Sequence, residues 1–310
     1  MKTGQKLWKR AKKIIPGGNM LLSKRPEMFL PNLWPTYYKK AKGAYVWDLN
    51  NNKYLDMYFG VGQSLLGYAN SSIDTAVNKS NKLGNITSLN SFYEVKLAKK
   101  LVQIHKWAGF VKFAKTGGEA SAIGTRIARS ISGNEKVAIC GYHGWHDWYL
   151  AANLQNSKNL DDQLLPGLKT KGVSKSYRGS IKPFIYNDIN SLKKIFKKQN
   201  NNIGVVIMEP MRGSKPSKNF LKEVKKITKK NKKILIFDEI TSGFKDNYGG
   251  IHLKLGTKPD MAIFGKSIGN GYPISAIIGK RKIMETSQDT FISSTMWTDR
   301  LGFIAANATL

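Results

Sequence analysis

The sequence has almost no cysteine. Cys140 stands alone among 310 residues, so no disulfide can form within the chain and nothing asks for an oxidising compartment. Acidic residues are scarce as well, 20 against 51 lysines and arginines, for a formal charge of +31 at pH 7. An excess of this size invites comparison with nucleic-acid binders. Only eight of the 51 are arginines, and the other 43 lack the planar fork that grips bases and phosphates bidentately. The densest run, Lys222–Lys233, is accompanied by Leu221, Val224, Ile227 and Thr228 at three- and four-residue spacing, so its lysines fall on the solvated face of a helix. The charge is therefore read as a basic surface, with a basic nucleic-acid-binding protein as the rival.

Long apolar runs are missing too. No stretch approaches the roughly 20 residues that a membrane-spanning helix needs, so no membrane partner is expected. Residues 1–26 contain no acidic side chain and could pass for a targeting presequence, but they run into Pro16-Gly17-Gly18 without a small-residue cleavage pattern. A cytoplasmic protein is expected. Apolar residues make up 41% of the chain, enough for a substantial core.

What is present is an ordered alternation of elements. Leu7, Trp8, Ala11, Ile14 and Ile15 share one side of a short helix over 6–15, which Pro16-Gly17-Gly18 stops. Ala44–Asp48 and Lys53–Met57 flank a turn at Leu49–Asn52 and predict a β-hairpin, and Tyr93–Ile104 has helical periodicity. From about residue 110, short apolar runs alternate with amphipathic ones. Val111–Ala114 precedes a helix from Glu119 to Arg129, Lys136–Cys140 precedes an aromatic loop, and Gly204–Met208 precedes the lysine-rich helix; Ile234–Phe237 and Met261–Phe264 follow. Runs that are apolar throughout imply strands buried on both faces. The expected fold class is α/β, with a mostly parallel sheet and helices on both faces.

Ligands of such sheets sit at the carboxyl ends of the strands. Reading just past each strand selects Thr116-Gly117-Gly118-Glu119, Tyr142-His143-Gly144, Glu209-Pro210, Asp238-Glu239 and Lys266. Gly117 and Gly118 lie between a strand and a helix, where backbone N–H groups can approach an anion; a plain turn is the competing reading, and neither G-x-G-x-x-G nor the Walker pattern is matched. Asp238 at the mouth of a buried strand requires a cationic partner. A protonated pyridine nitrogen would satisfy it, while a helix N-cap or a metal ligand are the alternatives. Lys266 ends the next strand between Gly265 and a glycine-rich turn, which leaves room for a planar ring beside its amine. Tyr142 and His143 begin an aromatic loop that can stack on such a ring. His143, His146 and Asp147 supply too few ligands at this spacing for a metal, and none is expected.

Taken in order, Leu7–Gly18, Gly43–Asp48, Thr116–Ala120, Tyr142-His143-Gly144, Asp238-Glu239-Ile240 and Phe264-Gly265-Lys266 resemble the class III aminotransferases, most closely their glutamate-1-semialdehyde 2,1-aminomutase-like branch. The resemblance spans nearly the whole chain, and the ordered set is more specific than any one motif. It implies the fold type I architecture of PLP-dependent transferases, pyridoxal 5'-phosphate (PLP) as cofactor, and a homodimer with active sites at the subunit interface. It makes Lys266 the Schiff-base lysine, Asp238 the pyridinium partner, Tyr142 the stacking aromatic, and Gly117 and Gly118 the phosphate seat. Glu209 would lie near the ring's hydroxyl side, Ile240 beneath the ring, and Thr295 would reach the cofactor phosphate of the other subunit. Arg25 is the candidate for a substrate carboxylate.

The expected reaction moves an amino group from a small-molecule amino donor to a carbonyl acceptor through Lys266. An aminomutase forming 5-aminolevulinate is the alternative, and an inactive fragment a further one. The transferase is favoured because the chain has Leu22–Glu27 where aminomutases usually carry a Ser-Pro-Val-Arg-like segment, and Phe59-Gly60-Val61-Gly62 where they carry a Ser-Trp-Gly-like one. The expected organisation is an N-terminal arm and helix (1–45), a large cofactor-binding domain (46–285), and the start (286–310) of a small C-terminal domain that is largely missing.

Overall fold

The computed structural model describes residues 3–199 and 202–310. Helix α1 (Thr3–Ile14) buries Trp8 and Ala11, on the apolar side that the spacing predicts. The chain then turns at Gly17 and Gly18, with φ of 71° and 81°, and the Trp8 indole occupies the space a Gly18 side chain would need. A three-stranded antiparallel sheet follows, built from β1 (Tyr38–Lys42), β2 (Tyr45–Asp48) and β3 (Lys53–Leu55) in that order. The expected hairpin is β2–β3. Its turn is held by Asp48, whose carboxylate accepts from the N–H groups of Asn50 (2.8 Å) and Asn52 (2.9 Å). Next come α2 (Phe59–Gly62), α3 (Ser71–Asn81) and α4 (Phe92–Ile104).

The remaining strands are β4 (Phe110–Ala114), β5 (Lys136–Cys140), β6 (Ile181–Pro183), β7 (Ile203–Met208), β8 (Ile234–Asp238), β9 (Met261–Phe264) and β10 (Ser275–Gly279). They form one seven-stranded sheet in the order β4-β10-β9-β8-β7-β5-β6. From β6 to β9 all neighbours run parallel, while β10 enters antiparallel between β9 and β4. Every residue of β7, β9 and β10 is buried, which is why these strands carry no polar alternation.

Helices cover both faces. Against one, Ile123 and Ile127 of α5 (Gly117–Ser132) pack with Ile139, Ile207, Ile236, Ile263 and Ile277. Beyond it come α6 (Asp147–Leu150), α7 (Ile189–Gln199) and α8 (Phe220–Lys230); Phe220, Leu221 and Val224 of α8 meet Val206, Leu235 and Phe237 on the other face. Each such side chain contributes about 1.5–3 kcal/mol when removed from water, several times the spread of helix propensities, so burial decides which face of α8 turns inward. The chain closes with α9 (Ile251–Lys254), α10 (Arg281–Glu285) and α11 (Arg300–Thr309). Helix α11 packs Phe303 and Ala306 against Leu97 and Leu101 of α4, and Ile304 and Ala305 against Ile73 and Val77 of α3. Among the described residues no helix is long and apolar enough to cross a membrane.

Candidate active site

The carboxyl ends of β5, β7, β8 and β9 lie side by side in the sheet order and bring four polar groups to one place. Asp238 closes β8 and is 1% exposed. Its Oδ1 accepts the Ile240 N–H (3.0 Å), and its Oδ2 lies 2.7 Å from Nδ1 of His143, three residues past β5. A carboxylate only accepts, so Nδ1 carries the proton of that bond. The other ring nitrogen, Nε2, is buried with no partner among the described residues. The imidazole lies nearly parallel to Trp148, with centroids 6.5 Å apart. His143 is thus a partner of Asp238, a role the sequence reading missed.

Glu209 follows β7, is 6% exposed, and accepts the Tyr142 N–H at 3.0 Å; Arg212 Nη1 stands 3.4 Å from the same oxygen. Burial, reinforced by the charge of Asp238, holds its carboxyl above the ordinary range. Burial and Glu209 also push the Cys140 thiol up to about 12, so the lone cysteine is a core residue and no nucleophile. Tyr142 is 40% exposed, edge-on to Tyr149 at 5.8 Å, with its phenol raised by burial and by Asp238.

Lys266 begins the turn after β9 with φ 43°, a left-handed conformation that an L side chain adopts at a cost. Its half-buried Nζ donates to Thr241 Oγ1 at 3.0 Å. Desolvation lowers its proton affinity, and the charges of Glu209 and Asp238 offset part of that effect. Thr241 was not foreseen, although its position three residues beyond Asp238 put it in the same turn.

Helix α5 opens with a reciprocal cap. Thr116 Oγ1 accepts the Glu119 N–H (3.3 Å), and Glu119 Oε2 accepts the Thr116 N–H (2.8 Å). That leaves the N–H groups of Gly117 and Gly118 without an acceptor among the described residues, at the positive end of the helix dipole. A Cβ on Gly117 would stand 2.7 Å from Ile240 Cδ1, and one on Gly118 2.9 Å from His146 Cε1. His146 Nδ1 is buried as well, without a partner among the described residues.

Two candidates lie elsewhere. Thr295 is exposed on a short turn (Thr295–Thr298), and none of its described contacts joins the group around Lys266. The Arg25 guanidinium packs on Gly17, with Nε buried and without a partner among the described residues. His143 and His146 diverge, one toward Asp238 and the other toward Gly118, and the described residues hold no cluster of three metal-ligating side chains.

Beneath the site runs a buried network that the sequence reading did not contain. Glu239 Oε1 accepts the His252 N–H (2.9 Å) and faces His252 Nδ1 (2.7 Å), while Oε2 accepts the Ile251 N–H (3.0 Å) and the Ser242 hydroxyl (2.7 Å). Trp107 Nε1 donates to His252 Nε2 at 3.1 Å, which places the proton of a neutral His252 on Nδ1. The network anchors both ends of the loop that carries Ile240, Thr241 and Lys245.

Comparison with known proteins identifies the family and the fold. The pattern described as aminotransferase class-III matches residues 31–310. The chain is 33% identical over 312 residues to the 3-aminobutyryl-CoA aminotransferase of Cloacimonas acidaminovorans, covering 98% of this chain and 71% of that protein. It is 33% identical over 285 residues to the glutamate-1-semialdehyde 2,1-aminomutase of Methanobrevibacter smithii, covering 90% of this chain and 64% of the aminomutase, under two thirds of its length. Among solved structures, the PLP internal aldimine form of the FumI protein of Sphingopyxis sp. MTA144 superposes with a TM-score of 0.86 at 28% identity, over 99% of this chain and 72% of FumI. An omega-transaminase from Sphaerobacter thermophilus shares the fold with a TM-score of 0.88 at 24% identity, over 99% of this chain and 72% of that one. The sheet is that of PLP-dependent fold type I, as expected. With the match running over residues 31–310, the chain belongs to the class-III aminotransferase family.

Proposed function

We propose that this chain acts as a PLP-dependent aminotransferase on small-molecule substrates, with Lys266 as the residue that binds the cofactor covalently. The observation that carries the proposal is a half-buried amine of lowered proton affinity set beside a buried Asp238–His143 pair. The chemistry of the donor set fits a phosphorylated pyridine aldehyde. The unpaired N–H groups of Gly117 and Gly118 suit a phosphate, and the buried Asp238 carboxylate suits a protonated ring nitrogen. Tyr142 would stack on the ring, Ile240 would pack beneath it, and Glu209 would hold a proton toward its hydroxyl side.

When bound, PLP supplies an electron-poor ring that takes up carbanion density from the substrate. Asp238, oriented by His143, would keep the proton on the pyridine nitrogen. Lys266, once displaced by the amino donor, is the base that would move the proton of the substrate α-carbon. Its hydrogen bond to Thr241 would set the direction of the amine.

A homodimer is part of the same proposal. Leu89, Phe92, Trp145, Phe291 and Met296 are exposed apolar side chains of the kind a second copy covers, and Thr295 lies next to one of them. The aminomutase remains the second reading, supported by the similarity to the Methanobrevibacter smithii protein. Purified protein is loaded with PLP and titrated with amino donors. A visible cofactor band that is absent in Lys266→Ala and bleached by a donor supports the transferase; 5-aminolevulinate formed from glutamate 1-semialdehyde without an external acceptor supports the aminomutase. No band in either protein would overturn both.

A further inference from the structure

One cation near Lys266 has no anion among the described residues. Lys245 belongs to the loop after β8, is half-buried, and has the Phe59 ring 5.4 Å from its Nζ; no carboxylate or hydrogen-bond acceptor is recorded for the ammonium among the described residues. The obvious counterions are engaged elsewhere. Asp56 accepts the Tyr68 hydroxyl (2.5 Å) and the N–H groups of Tyr58 (2.8 Å) and Phe59 (2.9 Å). Asp246, next in sequence, pairs with Lys254 at 2.9 Å. Burial, with the repulsion of Lys266 added to it, brings the proton affinity of Lys245 down to about 8.

The wall facing Lys245 is built for close approach. Phe59, Gly60, Val61 and Gly62 have φ of 32°, 66°, 63° and 79°, four successive left-handed residues that include a β-branched one. Strain of this kind persists where surrounding structure imposes it and clusters at binding sites. The turn brings the Phe59 ring near the ammonium and presses Gly62 against it, where a Cβ would stand 2.6 Å from Nζ. A cation held this way, partly desolvated beside a second cation, is stabilised most by an incoming anion. Among the described residues Lys266 is the one cation whose charge reaches it, which suits a monoanion better than a phosphate, whose recognition draws on several donors.

We infer that Lys245 is a specificity residue that receives a free carboxylate of the amino donor or carbonyl acceptor at the mouth of the site. The inference rests on the proposed aminotransferase reading with Lys266 at the reacting carbon, and it names the substrate class as one bearing a carboxylate that no ester, amide or thioester replaces.

The test separates cofactor loading from substrate recognition. PLP-loaded protein is assayed with short α-, β- and γ-amino acids and with their carboxamides, which keep the shape and remove the charge. In Lys245→Gln, kcat/KM for the favoured acid falls about 10- to 100-fold, mainly through KM, while its amide is unaffected and the cofactor band is retained. Lys245→Arg restores most of the preference. Equal loss for acid and amide, no loss for either, or an unchanged acid-to-amide ratio with an altered oligomeric state would overturn the inference. If the wild-type chain binds no PLP, the aminotransferase reading fails by itself. Butanoate binding to the cofactor-free chain, followed by saturation-transfer NMR, then decides about Lys245: signal lost in Lys245→Gln supports it, and signal retained sinks it.

Discussion

The floor and the mouth of the site are built on different principles. On the floor, Asp238, His143, Glu239 and His252 are buried at the ends of packed elements, and each carboxylate oxygen meets at least one donor. At the mouth, Lys266, Lys245 and Tyr142 are half-buried or exposed and hang on turns. Several residues there have positive φ, among them Val61 (63°), Phe244 (60°), Lys266 (43°) and Asn270 (43°), each costing about 1–3 kcal/mol. The floor is held by a sheet that cannot shift without losing core contacts. The mouth stores strain and leaves a charge unanswered, so it is the part free to differ with the substrate.

The largest expected effect breaks the mouth at its reacting atom. Lys266→Ala lowers the transamination rate by about 1000-fold or more while the far-ultraviolet spectrum stays native, because it removes the amine that the proposed reaction uses as its base. Rescue by Lys245 would appear as residual covalent cofactor and would erase the contrast between the two lysines. On the floor, Asp238→Ala strands the His143 Nδ1 proton in the core, and urea unfolding is expected to show a loss of about 1–3 kcal/mol, together with weaker PLP binding. His143→Phe removes the partner but leaves the carboxylate. Activity falls about 10-fold and its pH profile shifts, whereas a purely structural role would lower stability and leave the profile in place.

Gly117→Ala sharpens the comparison at the seam between the regions. The added methyl meets Ile240 Cδ1 at 2.7 Å, and PLP affinity measured by titration drops about 10-fold. The smallest effect is on the cofactor-free chain, where Lys245→Met removes a destabilising charge. Lys245 titrates near 8 when folded and near 10.5 when unfolded, so the folded state binds fewer protons and the penalty is full below pH 8. It fades as pH rises from 8 to 10.5. Melting temperatures of wild type and Lys245→Met should therefore differ at pH 7 and converge toward pH 10.5; a constant difference would mean that the ammonium is not destabilised by burial and by Lys266.

Much of the floor was legible before folding. The apolar run Ile234–Phe237 announced a strand buried on both faces, and the charge directly after it demanded a partner. The glycine pair after Val111–Ala114 was read as the opening of a helix, but the Thr116–Glu119 cap that forms there, and leaves two glycine N–H groups unpaired among the described residues, was not. The identity of the Asp238 partner within the chain was not legible, because His143 lies 95 positions away and its imidazole was read with its aromatic neighbours. Strand β10 escaped notice because Ser275–Gly279 is short, follows a glycine-rich turn, and is bounded by small residues. Strand β6 ends in Pro183, tolerable at the sheet's edge but unlike a strand in sequence.

The sequence by itself determined the alternation of buried strands and covering helices, and with it the short set of residues that stand at strand ends. Continuous apolar runs carry that information because burial on both faces admits no polar alternation. Only the tertiary structure decided which strand ends are neighbours, that Asp238 is held by His143 and Lys266 by Thr241, and that Lys245 is left without a counterion. Hydrogen bonds and Coulomb forces act over a few ångströms of space, and the order β9-β8-β7-β5 sets those distances where chain position does not.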